Sequence, residues 1–302
     1  MIFTTPAAHR KKPYMFEPIL LATDLDRTLL PNGKHPESPL ARSRFTQFVA
    51  RPEITLAYVT GRHRELVREA IADYDLPQPH FVIADVGTSL YEIDDGDWRL
   101  RHDWQQRLMA KWHDCDATQL AVALKDIPGL RMQEASKQSV LKLSYYTVAL
   151  DDPTELLAQV RDRLASTGAD TYLVWSIDET TNTGLLDVLP AGAGKLAALG
   201  YLREQLGIAI NKTIFAGDSG NDMEVLVSEM PAVLVANADE AVRAEALARG
   251  DKKTLYLAQG GLAGMNGCYS AGILEGVLHF LPETRDWLDT RDEASVRLQI
   301  QR

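Results

Sequence analysis

The stretch ILLATDLDRT at residues 19–28 decides the fold. Its opening run is apolar or small, which is typical of a strand buried on both faces of a parallel sheet. Asp24 and Asp26 follow at once, and acids two positions apart point the same way if the chain stays extended. Ligands of open parallel sheets bind at the carboxyl ends of strands. The stretch therefore predicts either a ligand-binding pair of carboxylates or, as the alternative, a surface turn whose acids cap the next helix.

Strand and helix patterns alternate on the C-terminal side of this stretch. We predict strands at 19–25, 54–60 and 81–85 and helices at 38–49 and 64–74. Strands that alternate with helices at this spacing form βαβ crossovers, and these build a parallel sheet.

The pattern changes between about residues 90 and 186. Helix patterns near 104–112, 118–125 and 154–166 lie among strand patterns at 140–148 and 171–176. The first rhythm then returns, with strands at 185–189, 213–216, 232–236 and 255–257 and helices at 194–206 and 222–227. We predict an α/β fold in which a Rossmann-like parallel-sheet core (1–89 and 187–302) is interrupted by an inserted α+β cap domain (90–186). The charged segment after Pro282 is predicted to be a terminal helix or tail.

Composition narrows the class of protein. The 302 residues carry 42 acidic and 32 Lys or Arg side chains, so the net charge of −10 argues against nucleic-acid binding. Two cysteines, Cys115 and Cys268, exclude a disulfide framework and a cysteine zinc cluster. No apolar run approaches the roughly 20 residues that a membrane span needs, and the N-terminus lacks the apolar stretch of a secretory signal. We expect a soluble, cytoplasmic protein.

A second motif, Thr60-Gly61-Arg62, also stands where a strand ends. A threonine hydroxyl with the backbone N–H groups that follow it can hold an anion at the start of a helix. The alternatives are a plain strand-to-helix turn with Thr60 as its cap and Arg62 as a solvated charge.

The segment PAGAGK at residues 190–195 only superficially suggests a phosphate-binding P-loop. Leu189 stands where that loop needs its first glycine, and Leu196 replaces the hydroxyl residue that would bind Mg²⁺. Gly194 can still permit a close backbone approach, with Lys195 as a point charge. A solvated lysine at a helix start is the alternative.

The segment GDSGND at residues 217–222 concentrates oxygen donors in one turn. Mg²⁺ typically takes one or two carboxylates together with waters and a phosphate oxygen. Because the carboxyl ends of parallel strands share one sheet edge, the four motifs predict one site with a carboxylate nucleophile, a metal, a hydroxyl and a lysine.

In this order, DxDxT, a strand-ending Thr, a Lys and GDxxND, the motifs resemble those of the haloacid dehalogenase-like phosphatases. The stretches YVTGR, DVGTSLYE, LDVLPAGAGK and VANADEAV are similar to the sucrose-phosphate phosphatase subgroup. The resemblance covers about 190 residues of the core, and the inserted region corresponds in position to that subgroup's cap.

The resemblance implies a role for each matching residue. Asp24 would become an aspartyl phosphate, and Asp26 would protonate the leaving oxygen and then activate water. The phosphoryl oxygens would be held by Thr60, Gly61, Arg62, Lys195 and Asn221. Mg²⁺ would be bound by the Asp24 carboxylate, the Asp26 backbone carbonyl and Asp218, with Asp222 supporting that shell.

The resemblance also implies a substrate and a partner. Sucrose 6-phosphate is expected, with Gln138 and Lys142 of the cap contacting the sugar and a sucrose-phosphate synthase-type glycosyltransferase as a possible associate. The turn at 178–183 and Ala191 depart from the subgroup pattern, which leaves another glycosyl phosphate, such as mannosylfructose phosphate, open. A non-catalytic sugar-phosphate-binding partner of a synthase and a phosphomutase are further alternatives. Trp175 is expected in the core rather than as a sugar platform.

Overall fold

The computed structural model describes residues 17–113, 115–150, 152–178 and 181–289. The predictions for the N-terminal segment and for the tail from residue 290 lie outside the described residues, as does the middle of the predicted turn at 178–183.

The described chain forms twelve strands and ten α-helices. The strands are β1 (Ile19–Thr23), β2 (Ile54–Val59), β3 (Phe81–Ala84), β4 (Ser89–Asp94), β5 (Asp97–Leu100), β6 (Arg131–Met132), β7 (Leu143–Val148), β8 (Thr171–Asp178), β9 (Thr183–Pro190), β10 (Thr213–Gly217), β11 (Ala232–Leu234) and β12 (Leu255–Leu257). The helices are α1 (Ala41–Val49), α2 (Arg64–Asp73), α3 (His102–Met109), α4 (Ala117–Leu124), α5 (Thr154–Ala165), α6 (Lys195–Leu206), α7 (Met223–Leu226), α8 (Glu240–Arg249), α9 (Ser270–Phe280) and α10 (Arg285–Asp289).

The first sheet has the strand order β12-β11-β10-β1-β2-β3-β4-β5. Its six strands from β12 to β3 run parallel, and β4 and β5 continue it as an antiparallel hairpin. The predicted α/β class with a parallel-rich sheet is confirmed.

Both faces of β1 are covered by helices. Leu20 and Ala22 join the apolar cluster that contains residues of α3 and α6, whereas Ile19 and Leu21 join the cluster that contains residues of α1 and α9. Because alternate residues of a strand point to opposite faces, the continuous apolar run reflects burial on both sides.

The second sheet is antiparallel, with the order β6-β7-β9-β8. The prediction that the strand at 185–189 reopens the core at residue 187 is wrong, because β9 pairs with β7 and β8 throughout its length. Along β9 the buried residues alternate with half-buried ones as far as Val188, as in a strand with one covered face. The second sheet therefore extends to Pro190.

The predicted start of the inserted domain at residue 90 is also wrong, because the two strands that follow belong to the first sheet. Residues 89–100 form the β4–β5 hairpin of the first sheet, joined by the two-residue turn Asp95-Gly96 with φ of 48° and 80°. An Asp-Gly pair between strands is a strong hairpin signal, although this hairpin was not predicted. In the described residues, no helix is long and apolar enough to cross a membrane.

Candidate active site

Residues of all four motifs meet at the carboxyl edge of the first sheet. Asp24 follows β1, and its backbone N–H donates to the Ala216 carbonyl of β10 at 2.9 Å. Thr60 follows β2, Asp218 follows β10, and Lys195 opens α6. The common edge expected from the sequence is therefore present.

Three buried carboxylates form the centre of this edge. Asp24, Asp218 and Asp222 each offer an oxygen, and these oxygens lie within 4.8 Å of one another. Burial, followed by the charges of the neighbouring acids, raises the pKa of Asp24 well above its usual value, although Lys195 opposes the shift. Burial and Asp222 likewise raise the pKa of Asp218. Clustered carboxylates of this kind fit a hard divalent cation, which would relieve their mutual repulsion.

Lys195 is the cation at the centre of the cluster, and it has no exposed surface. Its Nζ lies 3.2 Å from Asp24 Oδ1 and donates to Asn221 Oδ1 and Asp222 Oδ1, both at 2.7 Å. Burial alone would lower the pKa of Lys195, but the charges of Asp222 and Asp24 outweigh it and raise the pKa. Lys195 therefore stays charged where the phosphoryl group is expected, and the solvated-lysine alternative is excluded.

Asp222 organises the loop at 217–222 around itself. Its Oδ2 accepts the backbone N–H groups of Asp218 and Ser219, both at 3.1 Å. A Cβ on Gly217 would lie 2.6 Å from the Asp222 Cγ, so glycine is required for this close approach. With Oδ1 taken by Lys195, both oxygens of Asp222 have donors, which suits a supporting role.

Asp218 is held by two residues of the first motif. Thr28 Oγ1 donates to Asp218 Oδ1 at 3.0 Å, and Arg27 Nε lies 3.1 Å from Asp218 Oδ2. Arg27 was not predicted as a site residue, because its partner Asp218 is distant in the sequence and the contact leaves no local signal.

The Asp26 carboxylate lies outside the three-acid cluster. Arg62 donates from Nε to Asp26 Oδ2 at 2.7 Å and from Nη2 to Oδ1 at 2.6 Å, and Asn32 Nδ2 donates to Oδ1 at 2.8 Å. Burial alone would raise the pKa of Asp26, but the hydrogen bonds from Arg62 and Asn32 hold it below its usual value. Arg62, predicted as a phosphate ligand, here holds Asp26 in its ionised form.

Thr60 is buried, and its Oγ1 accepts the Arg62 backbone N–H at 3.2 Å. Thr60 and Gly61 border a cavity of about 220 Å³ between the two sheets. Asp24, Asn221 and Arg62 line the same side, and Lys142, Ser176 and Asp187 line the other. The cavity thus joins the carboxylate cluster to the second sheet.

The two cap residues expected to contact the sugar differ in placement. Lys142 is buried in the cavity wall, with Nζ 3.3 Å from Asp85 Oδ1 of the first-sheet side. The side-chain amide of Gln138 is instead taken by backbone, since Nε2 donates to the Gln133 and Ser144 carbonyls and Oε1 accepts the Ser144 N–H. The structure does not bring Gln138 to the cavity wall.

Asp187 lines the cavity and was not predicted as a site residue. Its Oδ1 accepts a short hydrogen bond from Ser144 Oγ, and burial raises its pKa, although Lys142 and Ser144 oppose the shift. The signal that could have identified Asp187 is an aspartate inside the apolar stretch LLDVLP, because acidic residues seldom occur in buried segments unless they are paired. Trp175 is half-buried and packs against the apolar core, and it is not among the residues that line the cavity.

Comparison with known proteins agrees with this geometry. A family model described as Sucrose-6F-phosphate phosphohydrolase matches residues 17–281. A crystal structure of the sucrose-phosphatase of Synechocystis sp. PCC6803, in complex with sucrose and phosphate, superposes with a TM-score of 0.72 and 25% identity. That match covers 88% of this chain and 98% of the Synechocystis chain.

Relatives that are similar in sequence support the same family. A HAD-like hydrolase of Nitrosococcus oceani is 49% identical over 93% of this chain and 76% of its own. Sucrose-phosphatase 1 of Nicotiana tabacum is 30% identical over 87% of this chain, which spans only 59% of the tobacco protein. Mannosylfructose-phosphate phosphatase of Agrobacterium fabrum is 30% identical over 72% of this chain and 83% of its own. The chain therefore belongs to the sucrose-6F-phosphate phosphohydrolase family of haloacid dehalogenase-like phosphatases, and its enzyme class is that of a phosphoric monoester hydrolase.

Proposed function

We propose that the protein hydrolyses a sugar phosphate, with sucrose 6-phosphate as the preferred substrate, through an aspartyl-phosphate intermediate on Asp24. The observation that carries this proposal is the buried Lys195, whose Nζ lies 3.2 Å from Oδ1 of Asp24. Asp24 itself lines a cavity whose opposite wall carries the polar side chains Lys142, Ser176 and Asp187. A buried cation beside a carboxylate nucleophile removes the repulsion between that nucleophile and an anionic phosphate.

The reaction has two balanced steps. In the first step Asp26, after it has left Arg62 and taken up a proton from water, gives this proton to the sugar oxygen, while a carboxylate oxygen of Asp24 attacks phosphorus and the bond from phosphorus to the sugar oxygen breaks. Water then attacks the phosphoryl group, Asp26 takes the proton from that water, and the bond to Asp24 breaks to release phosphate. Lys195, Asn221, Thr60 and Gly61 hold the phosphoryl oxygens during both steps.

Mg²⁺ is the proposed metal. Asp24 and Asp218 would hold it with the Asp26 backbone carbonyl, and Asp222 would fix the loop that carries Asp218. When bound, the ion neutralises charge on the phosphoryl oxygens and on the carboxylates.

The second sheet is proposed as a cap that selects the sugar. Lys142, Ser176 and Asp187 present a cation, a hydroxyl and a carboxyl group to the cavity, which suits hydroxyl groups of a sugar. Since the Agrobacterium and tobacco relatives are both 30% identical to this chain over the regions that match, mannosylfructose phosphate is the second candidate.

Association with a glycosyltransferase that makes the sugar phosphate is proposed on one observation. A glucosylglycerol-phosphate synthase of Pseudomonas anguilliseptica contains a region 34% identical to 72% of this chain, and this region is 26% of the synthase. Co-sedimentation with a purified sucrose-phosphate synthase would test the association, and separate sedimentation would contradict it.

The test is phosphate release from sucrose 6-phosphate, mannosylfructose phosphate, trehalose phosphate and hexose phosphates, with Mg²⁺ and with a chelator. We expect release that requires Mg²⁺ and falls at least about a thousandfold in Asp24→Asn, because the nucleophile is lost. The exposed Asp73→Asn is the matched control and keeps full activity. Release from another sugar phosphate would replace the substrate, and release from none by folded protein would contradict the proposed function.

Mg²⁺ binding can be measured without turnover. We expect Mg²⁺ to raise the melting temperature of the wild-type protein, since binding to the folded state alone stabilises it. Asp218→Asn should weaken this shift, whereas Asp73→Asn should keep it.

A further inference from the structure

Glu224 of α7 joins three elements around the site. Its Oε2 accepts the Tyr172 hydroxyl of β8 at 2.8 Å. Its Oε1 accepts the backbone N–H of Leu196 at 3.1 Å. One carboxylate therefore links the second sheet to the first turn of α6, which carries Lys195.

The first turn of α6 depends on the Glu224 carboxylate, because the residue at its N-terminal cap is a glycine and has no side chain that could accept a hydrogen bond. The residue before α6 is Gly194, so no local oxygen is available for the free N–H groups of the first turn. Gly194 has a φ of 114°, and a Cβ there would lie 2.8 Å from Glu224 Oε1 and 3.2 Å from Tyr172 Cε1. Glycine at this position is what allows both side chains to reach the helix terminus.

Tyr172, which bonds Glu224 from the second sheet, lies on a strand that also lines the cavity. Tyr172 and Ser176 lie four positions apart on β8, so they share one face of the strand, and Ser176 lines the cavity. Burial and the charge of Glu224 raise the pKa of the Tyr172 hydroxyl, which therefore remains a donor. The same α7 begins directly after Asp222, the partner of Lys195.

We propose that Tyr172 and Glu224 are positioning residues that fix the distance between the cavity wall of the second sheet and the Lys195–Asp222 pair. Recognition of the organic part of the substrate is thereby tied to the phosphoryl-binding groups. This inference rests on the proposed function for its kinetic consequence. Its structural consequence, a first turn of α6 held by Glu224, does not depend on any substrate.

The kinetic test compares Tyr172→Phe with wild type on the best sugar phosphate of the panel and on p-nitrophenyl phosphate. We expect kcat/KM for the sugar phosphate to fall about tenfold, mainly through a higher KM, as for loss of one hydrogen bond. Activity on p-nitrophenyl phosphate should stay within about twofold, because the phosphoryl-binding groups keep their places. Tyr146→Phe is the matched control, since it removes a hydroxyl that bonds Glu134 within the second-sheet unit.

The second variant pair concerns Glu224. Glu224→Ala should lower kcat for both substrates and speed amide hydrogen exchange at residues 195–198, because α6 loses its acceptor. Glu224→Gln should restore much of both, since its amide can accept from Leu196 and bond the tyrosine hydroxyl.

The outcomes are separable. Equal loss on both substrates in Tyr172→Phe, or no loss on either, would overturn the inference while leaving the hydrolase intact. If wild type releases no phosphate from any sugar phosphate, the proposed function fails. Unchanged hydrogen exchange in Glu224→Ala would overturn the inference independently of activity.

Discussion

Lys195 is a single buried cation among three side-chain oxygens that belong to Asp24, Asn221 and Asp222. A charge in a dry environment is tolerated only where opposite charges and hydrogen bonds replace its water. Here the ion and its partners depend on one another, so the carboxylates keep their positions because the lysine is present. The electrostatic character of the site is thus decided by individual residues.

The effect of burial on the pKa of Asp187 can be tested with a single substitution. Because its pKa is raised by burial, the folded state keeps this proton to higher pH than the unfolded chain, whose aspartates titrate near pH 4. Stability from this group is complete below that pH and is lost as the pH rises through the folded pKa. In Asp187→Asn, the free energy of unfolding should therefore fall less between pH 4 and pH 8 than it does in wild type.

Urea unfolding at the two pH values measures the difference, with the exposed Asp162→Asn as control. Parallel changes in wild type and in Asp187→Asn would contradict a raised pKa for this carboxyl group.

The sequence predicted those site residues whose positions follow from local pattern. Asp24, Thr60 and Asp218 come directly after strands, and the topology of a parallel sheet brings such positions together. Arg27 and Asp187 were missed because their partners Asp218 and Ser144 are distant in the sequence. Gln138 was expected at the cavity, but its amide bonds the backbone of Gln133 and Ser144, only a few positions away. A side-chain amide can serve substrate or backbone equally well, and only the fold around Gln138 selects the backbone.

At the scale of elements, the start of α6 is held in place by several neighbouring groups. Glu224, Tyr172 and the turn around Gly87 all approach Gly194, and a Cβ on Gly87 would lie 2.2 Å from the Gly194 carbonyl oxygen. The helix is therefore held at its first residue, where Lys195 stands.

We expect Gly194→Ala to lower the free energy of unfolding by about 2 kcal/mol or more, since a positive φ is costly for alanine and the new Cβ meets Glu224. The matched control is Gly200→Ala within the same helix, where a Cβ meets nothing within 4 Å. That change should raise the free energy of unfolding by roughly 0.5–1 kcal/mol, because alanine favours a helix. Urea denaturation compares the two, and equal effects would contradict the close approach at Gly194.

Element types were predicted better than element partners. Most strands and helices begin within a few residues of the predicted bounds, because periodicity is local. The sheet to which β9 belongs was predicted wrongly, since its pairing with β7 and β8 depends on distant residues, such as Leu143 opposite Val188. The apolar pattern of a strand does not indicate which sheet the strand will join.

Over the whole molecule, the two sheets are joined by a buried ion pair as well as by the Tyr172–Glu224 contact. Lys142 and Asp85 are both almost fully buried, and Asp187 stands close enough for Lys142 to affect its pKa. The two carboxylates depend on one ammonium group for compensation.

Lys142→Met should therefore destabilise the protein by about 3–5 kcal/mol, because it leaves buried acids without a counter-charge. The exposed Lys125→Met, in the same inserted region, should change stability by no more than about 0.5 kcal/mol. Urea denaturation measures both variants. A Lys142→Met protein as stable as wild type would show that the pair contributes nothing to holding the sheets together.

The order of the strands has a consequence for synthesis of the chain. β1 lies between β2, which is made soon after it, and β10, which follows almost two hundred residues later. During translation, β1–β3 can assemble while one edge of β1 waits for its partner, and an open edge of this kind invites pairing with other chains. The three-carboxylate cluster, which could hold a metal ion, is divided in the same way, since Asp24 is made early and Asp218 and Asp222 late. A nascent chain can therefore gain no stability from an ion at this cluster until β10 has emerged from the ribosome, and a holdase that shields the edge of β1 would act during that interval.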